Sequence, residues 1–83
     1  MNYGYENDKI SEKAKDLAMA RQSLVEELQA IDWYRERIEL TKNEELKKIL
    51  EHNESEEKEH AAMLFQFLLK NDSVQKERYE HHD

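Results

Sequence analysis

Glu57 and His60, in the run Glu56-Glu57-Lys58-Glu59-His60, put a carboxylate and an imidazole three residues apart. On a helix that spacing stacks the two side chains on one face, where an oxygen and a nitrogen together can hold a divalent transition metal. At about 100° per residue, Leu46, Leu50, Asn53, His60, Ala61, Leu64 and Leu68 all project within roughly 60° of Glu57, so the face is otherwise mainly apolar. An ionised carboxylate turned toward a packed core costs several kcal/mol unless something neutralises it. The pair therefore points to a buried metal site. Glu27 repeats the anomaly: Ala20, Ser23, Leu24, Ala30, Ile31, Tyr34 and Ile38 lie within roughly 60° of it by the same helical projection, again a mainly apolar stripe.

The elements that must position these residues follow from composition. There is no Pro, and the single Gly is at position 4, so nothing inside the chain forces a break and helix formers dominate throughout. The expected fold class is all-α: an antiparallel two-helix hairpin with a short C-terminal helix, dimerising into a four-helix bundle. The first helix is expected over 11–41 and the second over 44–70, joined by Thr41-Lys42-Asn43, with Asn43 as N-cap ahead of Glu44 and Glu45. Residues 1–10 read as a loosely ordered N-terminus, 11–71 as the hairpin, and 72–83 as a short third helix, capped by Asp72, with a frayed tail. Long helices joined by so short a turn must fold back antiparallel. Glu27 and Glu57 stand equally far from Lys42 on either side, so the fold brings both carboxylates to one level, alongside His60.

One hairpin cannot close a core. The chain has 83 residues, 40% of them charged and 37% hydrophobic, and no Cys, so disulfides and thiolate zinc sites are excluded and oligomerisation is the remaining route to stability. A two-fold dimer doubles the ligand set to four glutamates and two histidines. That is the donor set of ferritin-like di-iron bundles, one Glu from each of two helices and a Glu-x-x-His from each of the other two. Four carboxylates also balance two Fe²⁺ ions, so a site untenable when empty becomes neutral when loaded.

The runs Glu26-Glu27-Leu28-Gln29-Ala30-Ile31-Asp32-Trp33-Tyr34, Glu44-Glu45-Leu46-Lys47-Lys48-Ile49-Leu50 and His52-Asn53-Glu54-Ser55-Glu56-Glu57-Lys58-Glu59-His60-Ala61-Ala62-Met63 together resemble the encapsulated ferritin-like proteins. The likeness covers about residues 20–72. It implies a ferroxidase that oxidises Fe(II) to Fe(III) at a di-iron centre shared between two chains, with Glu27, Glu57 and His60 as catalytic residues and iron ligands. It further implies a homodimer, a ring-shaped homodecamer of five dimers, an encapsulin shell protein as partner, and iron mineralisation inside an encapsulin nanocompartment in the cytoplasm. The family's cation-access site has a further acidic residue two positions after the ligand glutamate of the first helix, where this chain has Gln29. Glu26 thus keeps only an amide as companion: it is either a weak contact for calcium or another divalent cation, or a solvated or inter-subunit polar residue.

Tyr34, two turns from Glu27 on the same stripe, is either the second-shell partner of the other His60 ring nitrogen or a core aromatic. Trp33 points well away from Glu27 and, with Val25, Leu28, Met63 and Phe67, suggests a second interface. The glutamates at 51, 54, 56 and 59 read as a solvated, salt-bridged face. A net charge of −7, with 20 acidic residues against 13 Lys plus Arg, argues against nucleic acid as a partner. No apolar run approaches the roughly 20 residues of a membrane span, and residues 1–5 lack the features of a signal peptide. Members of the family carry a shell-docking C-terminal peptide, and nothing after Asp72 reads as an apolar docking segment. Two other functions fit the same residues: a metal-free helical-hairpin assembly module, and a di-iron peroxidase or oxidase.

Overall fold

Three capped starts punctuate the chain in the computed structural model, which describes residues 10–83. Ser11 is extended, and its hydroxyl accepts the Ala14 N–H at 3.1 Å, opening α1 (Glu12–Leu40). The Asn43 side chain accepts the Leu46 N–H at 2.9 Å to open α2 (Glu44–Asn71). Asp72 accepts the Gln75 N–H at 3.1 Å to open α3 (Ser73–Glu80). Each cap satisfies a donor that the first helical turn leaves without an intrahelical partner. Ser11 and Thr41 flank α1 as extended caps rather than lying inside it. The expected loose N-terminus falls, but for Ile10, outside the described residues.

Among the described residues there is no strand, and the architecture is a helical hairpin with a short third helix. The connection of Thr41, Lys42 and Asn43 reverses the chain without glycine: the Thr41 N–H closes on the Arg37 carbonyl at 3.0 Å and the Asn43 N–H on the Thr41 hydroxyl at 3.1 Å. Cross-helix contacts fix the antiparallel sense. Arg35 meets Glu54 near the turn, and Glu27 meets His60 farther down. Beyond them, Arg21 meets Asp72 at the far end. A Phe65–Tyr79 edge-to-face pair with ring centroids 5.6 Å apart ties α3 back to α2.

The core between α1 and α2 is thin. Ala18, Ala20, Ile38, Leu50, Ala61 and Leu68 are buried, yet among the described residues no side chain falls below 2% exposure. With a shortest dimension of 18 Å, the chain is a single helical layer, whereas a domain normally packs two. Val25, Leu28, Trp33, Met63 and Phe67 are all exposed. An apolar surface of that kind, with no second layer over it among the described residues, is what an interface between chains uses.

Candidate metal centre

The middle of the α1–α2 interface holds the three residues singled out by type and spacing. One ligand atom from each of Glu27, Glu57 and His60 lies within 4.8 Å of the others, and among the described residues no other His, Cys, Asp or Glu trio comes together this way. Glu27 descends from α1; Glu57 and His60 come from adjacent turns of α2. His60 Nδ1 stands 3.5 Å from Glu27 Oε2 and 3.9 Å from Glu57 Oε1. The carboxylates are mostly covered, with 24% and 22% of the Glu27 and Glu57 side chains exposed, while His60 is 47% exposed.

The electrostatics are unfinished. Glu27 Oε2 is buried and has no hydrogen-bond partner, a costly state for a carboxylate oxygen. The Glu57 carboxyl is held above its ordinary value, first by the hydrogen bond that its proton makes to Glu27, then by loss of water and by the Glu27 charge; His60 pulls the other way. Two carboxylates facing each other resist ionising together. A divalent cation removes both penalties at once, and two carboxylate oxygens with one imidazole nitrogen are a donor set suited to a divalent metal ion. The residues present therefore fit a metal, and the partnerless buried oxygen is the observation that says so.

Glu26 stays outside this cluster. It is exposed on α1 and accepts the Gln22 amide at 3.2 Å, and Gln29 is likewise exposed. Tyr34 is half-buried; its ring carries the Arg37 guanidinium 5.9 Å from the centroid, and among the described residues its hydroxyl does not hydrogen-bond His60. Trp33 lines an open groove of about 310 Å³ with Glu36, Arg37 and Leu40. A second groove, of about 370 Å³, runs from His60 along Met63, Leu64 and Phe67, so an apolar surface begins at the edge of the ligand cluster.

One expectation needs correcting. Glu54 is not part of a solvated face: it is buried at 5% exposure and takes both arms of the Arg35 guanidinium, Nε at 2.9 Å and Nη2 at 2.6 Å. Lys58 Nζ lies 3.7 Å from the same carboxylate, and Glu39 holds Arg35 Nη1 at 3.3 Å. Arg35 keeps the Glu54 carboxyl below its ordinary value, and Glu54 in turn raises Arg35. The signal available in the sequence was position alone: Glu54 is one turn before Glu57, at the edge of the same stripe.

The EncFtn-like family profile matches residues 2–82. A ferritin-like protein of Thermotoga maritima is 48% identical over 62 residues, covering 75% of this chain and 54% of its own. An encapsulated ferritin-like protein of Rhodospirillum rubrum is 51% identical over 51 residues, 61% of this chain and 36% of its own. The chain thus spans roughly half or less of the length of these relatives. An encapsulin nanocompartment cargo protein of Myxococcus xanthus is 36% identical over 69 residues, covering 80% of this chain and 53% of its own. The crystal structure of a Nitrosomonas europaea protein superposes with a TM-score of 0.83 at 40% identity, covering 99% of this chain and 91% of that one. No described helix is long and apolar enough to cross a membrane.

Proposed function

The chain belongs to the EncFtn-like family, and from that premise we propose that it is a ferroxidase whose substrate is Fe(II), bound by Glu27, Glu57 and His60 at a centre completed by a second copy of the chain. The observation that carries this reading is the ligand trio itself, three donor atoms within 4.8 Å with a buried, partnerless Glu27 oxygen among them. The iron chemistry is drawn from the relatives, which are named as ferritin-like.

A lone chain offers three ligand residues, too few to fill an iron coordination sphere, and leaves His60 open at the edge of an apolar groove. A two-fold partner laid on that face doubles the set to four carboxylates and two imidazoles, whose charge two Fe²⁺ ions cancel. It also covers apolar surface that a single layer leaves in water. Each Fe(II) then loses one electron. Two electrons and two protons convert O₂ to hydrogen peroxide, or convert peroxide to water, and two Fe(III) ions leave for mineral. In this scheme Glu27 and Glu57 supply the negative charge that favours Fe(III), and His60 supplies a neutral donor. Calcium or another divalent cation at Glu26 is at most a peripheral contact, because Glu26 is exposed and its amide partner carries no charge.

A ring-shaped homodecamer is the assembly proposed for the dimers, with Trp33, Val25 and Leu28 available for a second contact. The relatives named as encapsulated or as encapsulin cargo support an encapsulin shell as partner and the interior of such a compartment, in the cytoplasm, as the place where iron accumulates. The test is Fe(II) oxidation in air, followed by ferric absorbance. The wild-type chain should outpace buffer, and Glu27→Ala, Glu57→Ala and His60→Ala should each fall to the buffer rate. A wild-type rate equal to buffer refutes the activity, and a monomer both with and without Fe²⁺ refutes the shared centre.

A further inference from the structure

In the absence of a cation the ligand cluster is loosely held, with His60 Nδ1 no closer than 3.5 Å to Glu27 and 3.9 Å to Glu57. Glu27 and Glu57 face each other, and Glu27 Oε2 has no hydrogen-bond donor. The buried apolar residues closest to them in sequence, Ala20 and Ala61, are small, and small side chains resist sliding and rotation weakly. Yet the three ligand residues converge. The restraint must come from a neighbouring part of the interface.

We propose that the Arg35–Glu54 pair is a positioning device for the metal centre, fixing the height and rotation of α2 against α1 so that Glu57 and His60 meet Glu27 before any cation arrives. Glu54 precedes Glu57 by three residues and lies on the adjacent turn of the same helix, while Arg35 follows Glu27 by eight, about two turns along α1. Two parallel bonds, Nε and Nη2 to the two oxygens of one carboxylate at 2.9 and 2.6 Å, define a plane as well as a distance. A fork of that kind tolerates neither a slide of one helix along the other nor a turn about its axis. The fork is itself braced on both helices: Glu39 holds Arg35 from one turn along α1, and Lys58 approaches Glu54 from one turn along α2. Outside the ligand trio, a second cross-helix pair, Arg21 with Asp72, lies beyond the site at the opposite end, where α2 gives way to α3. Glu54 is the only buried charged residue among the described ones. An apolar pair could bury the same area without loss of stability; what it lacks is direction.

That difference supplies the test, which rests on the iron-site reading and is arranged so that the two can fail separately. Purified wild-type chain and three variants are titrated with Fe²⁺ under anaerobic conditions by calorimetry, and their melting temperatures are measured without metal. Arg35→Met/Glu54→Met, which exchanges the fork for apolar side chains, should keep or raise the melting temperature while weakening Fe²⁺ binding by about tenfold or more, the size of effect expected of residues that orient ligands. Glu54→Met alone should lose both stability and affinity. Arg35→Glu/Glu54→Arg, which restores a fork across the same gap, should recover most of the affinity. Wild-type affinity in the double methionine variant overturns the proposal, as does a charge-swapped protein that melts like wild type but still binds Fe²⁺ as weakly as the methionine pair. If the wild-type chain itself binds no Fe²⁺, it is the iron-site reading that falls.

Discussion

Two charge clusters share one helix interface about a turn apart, and they are opposites. At Glu54 the acid meets a forked cation, takes two short bonds and is drawn below its ordinary value. At Glu57 the acid meets another acid and is pushed above its ordinary value. Both glutamates lie on the same helix, Glu54 buried and Glu57 mostly covered, so residue type does not separate them. What separates them is whether the protein supplies the neutralising charge. On the proposed reading, a covered carboxylate that the chain has paired is part of its scaffold, while one that the chain has left facing another acid is a ligand for a cation from outside.

The sharpest way to break that contrast is to remove charge on each side and compare the signs. Glu27→Gln should raise the melting temperature of the metal-free protein, because Glu57 no longer faces an acid, while lowering Fe²⁺ affinity beyond the roughly 100-fold that bounds the effect of outer residues. Melting with and without Fe²⁺ checks both: metal should stabilise the wild-type chain, since it binds the folded state, and leave Glu27→Gln nearly unmoved. A Glu27→Gln protein less stable than wild type without metal would show that the site is matched within the chain after all.

A smaller effect is expected with pH. Glu54 and Asp72 both lie below their ordinary values of 4.5 and 3.8, held chiefly by Arg35 and by the Gln75 N–H respectively. Each therefore binds fewer protons folded than unfolded. Its stabilisation is present above the ordinary value and is lost as pH falls through the lowered one. Glu57 runs the other way: being raised in the fold, it costs stability as pH climbs from 4.5 through its raised value. Urea unfolding of metal-free protein should then show Glu54→Gln with a shallower loss of stability below about pH 4.5 than wild type, and Glu27→Gln with a shallower loss above it. Equal acid slopes in wild type and Glu54→Gln would remove the electrostatic distinction between the clusters.

The contrast also explains what could be read from residue order. The hairpin is legible because a chain without internal Gly or Pro breaks only where Asn43 and Asp72 offer caps. The trio at Glu27, Glu57 and His60 stands out because two carboxylates interrupt two apolar stripes at equal distance from one turn. Glu54 does not stand out. It sits among Glu51, Glu56 and Glu59 at the edge of the stripe, and helical periodicity assigns an edge residue to water as readily as to the interface. What turns it inward is the reach of Arg35 from the other helix, a tertiary fact with no periodic signature. The same limit applies to Tyr34: its stripe position is evident, but the Arg37 guanidinium on its ring depends on local rotamers.

The smallest expected effect tests whether the turn or the fork sets the helix register. Asn43 caps α2 through the Leu46 N–H at 2.9 Å and is exposed, so Asn43→Ala should cost about 1 kcal/mol, the usual value of a lost N-cap. If the fork alone sets the register, that loss should appear only as a lower unfolding midpoint in urea, with Fe²⁺ affinity unchanged, because α2 still meets α1 at Glu54. If the turn sets it, affinity should fall together with stability, since loosening the first turn of α2 would let Glu57 and His60 drift from Glu27. The sites are far enough apart along α2 for their effects to add. Combining Asn43→Ala with Arg35→Met/Glu54→Met should therefore change stability by the sum of the two and affinity by the fork substitutions alone.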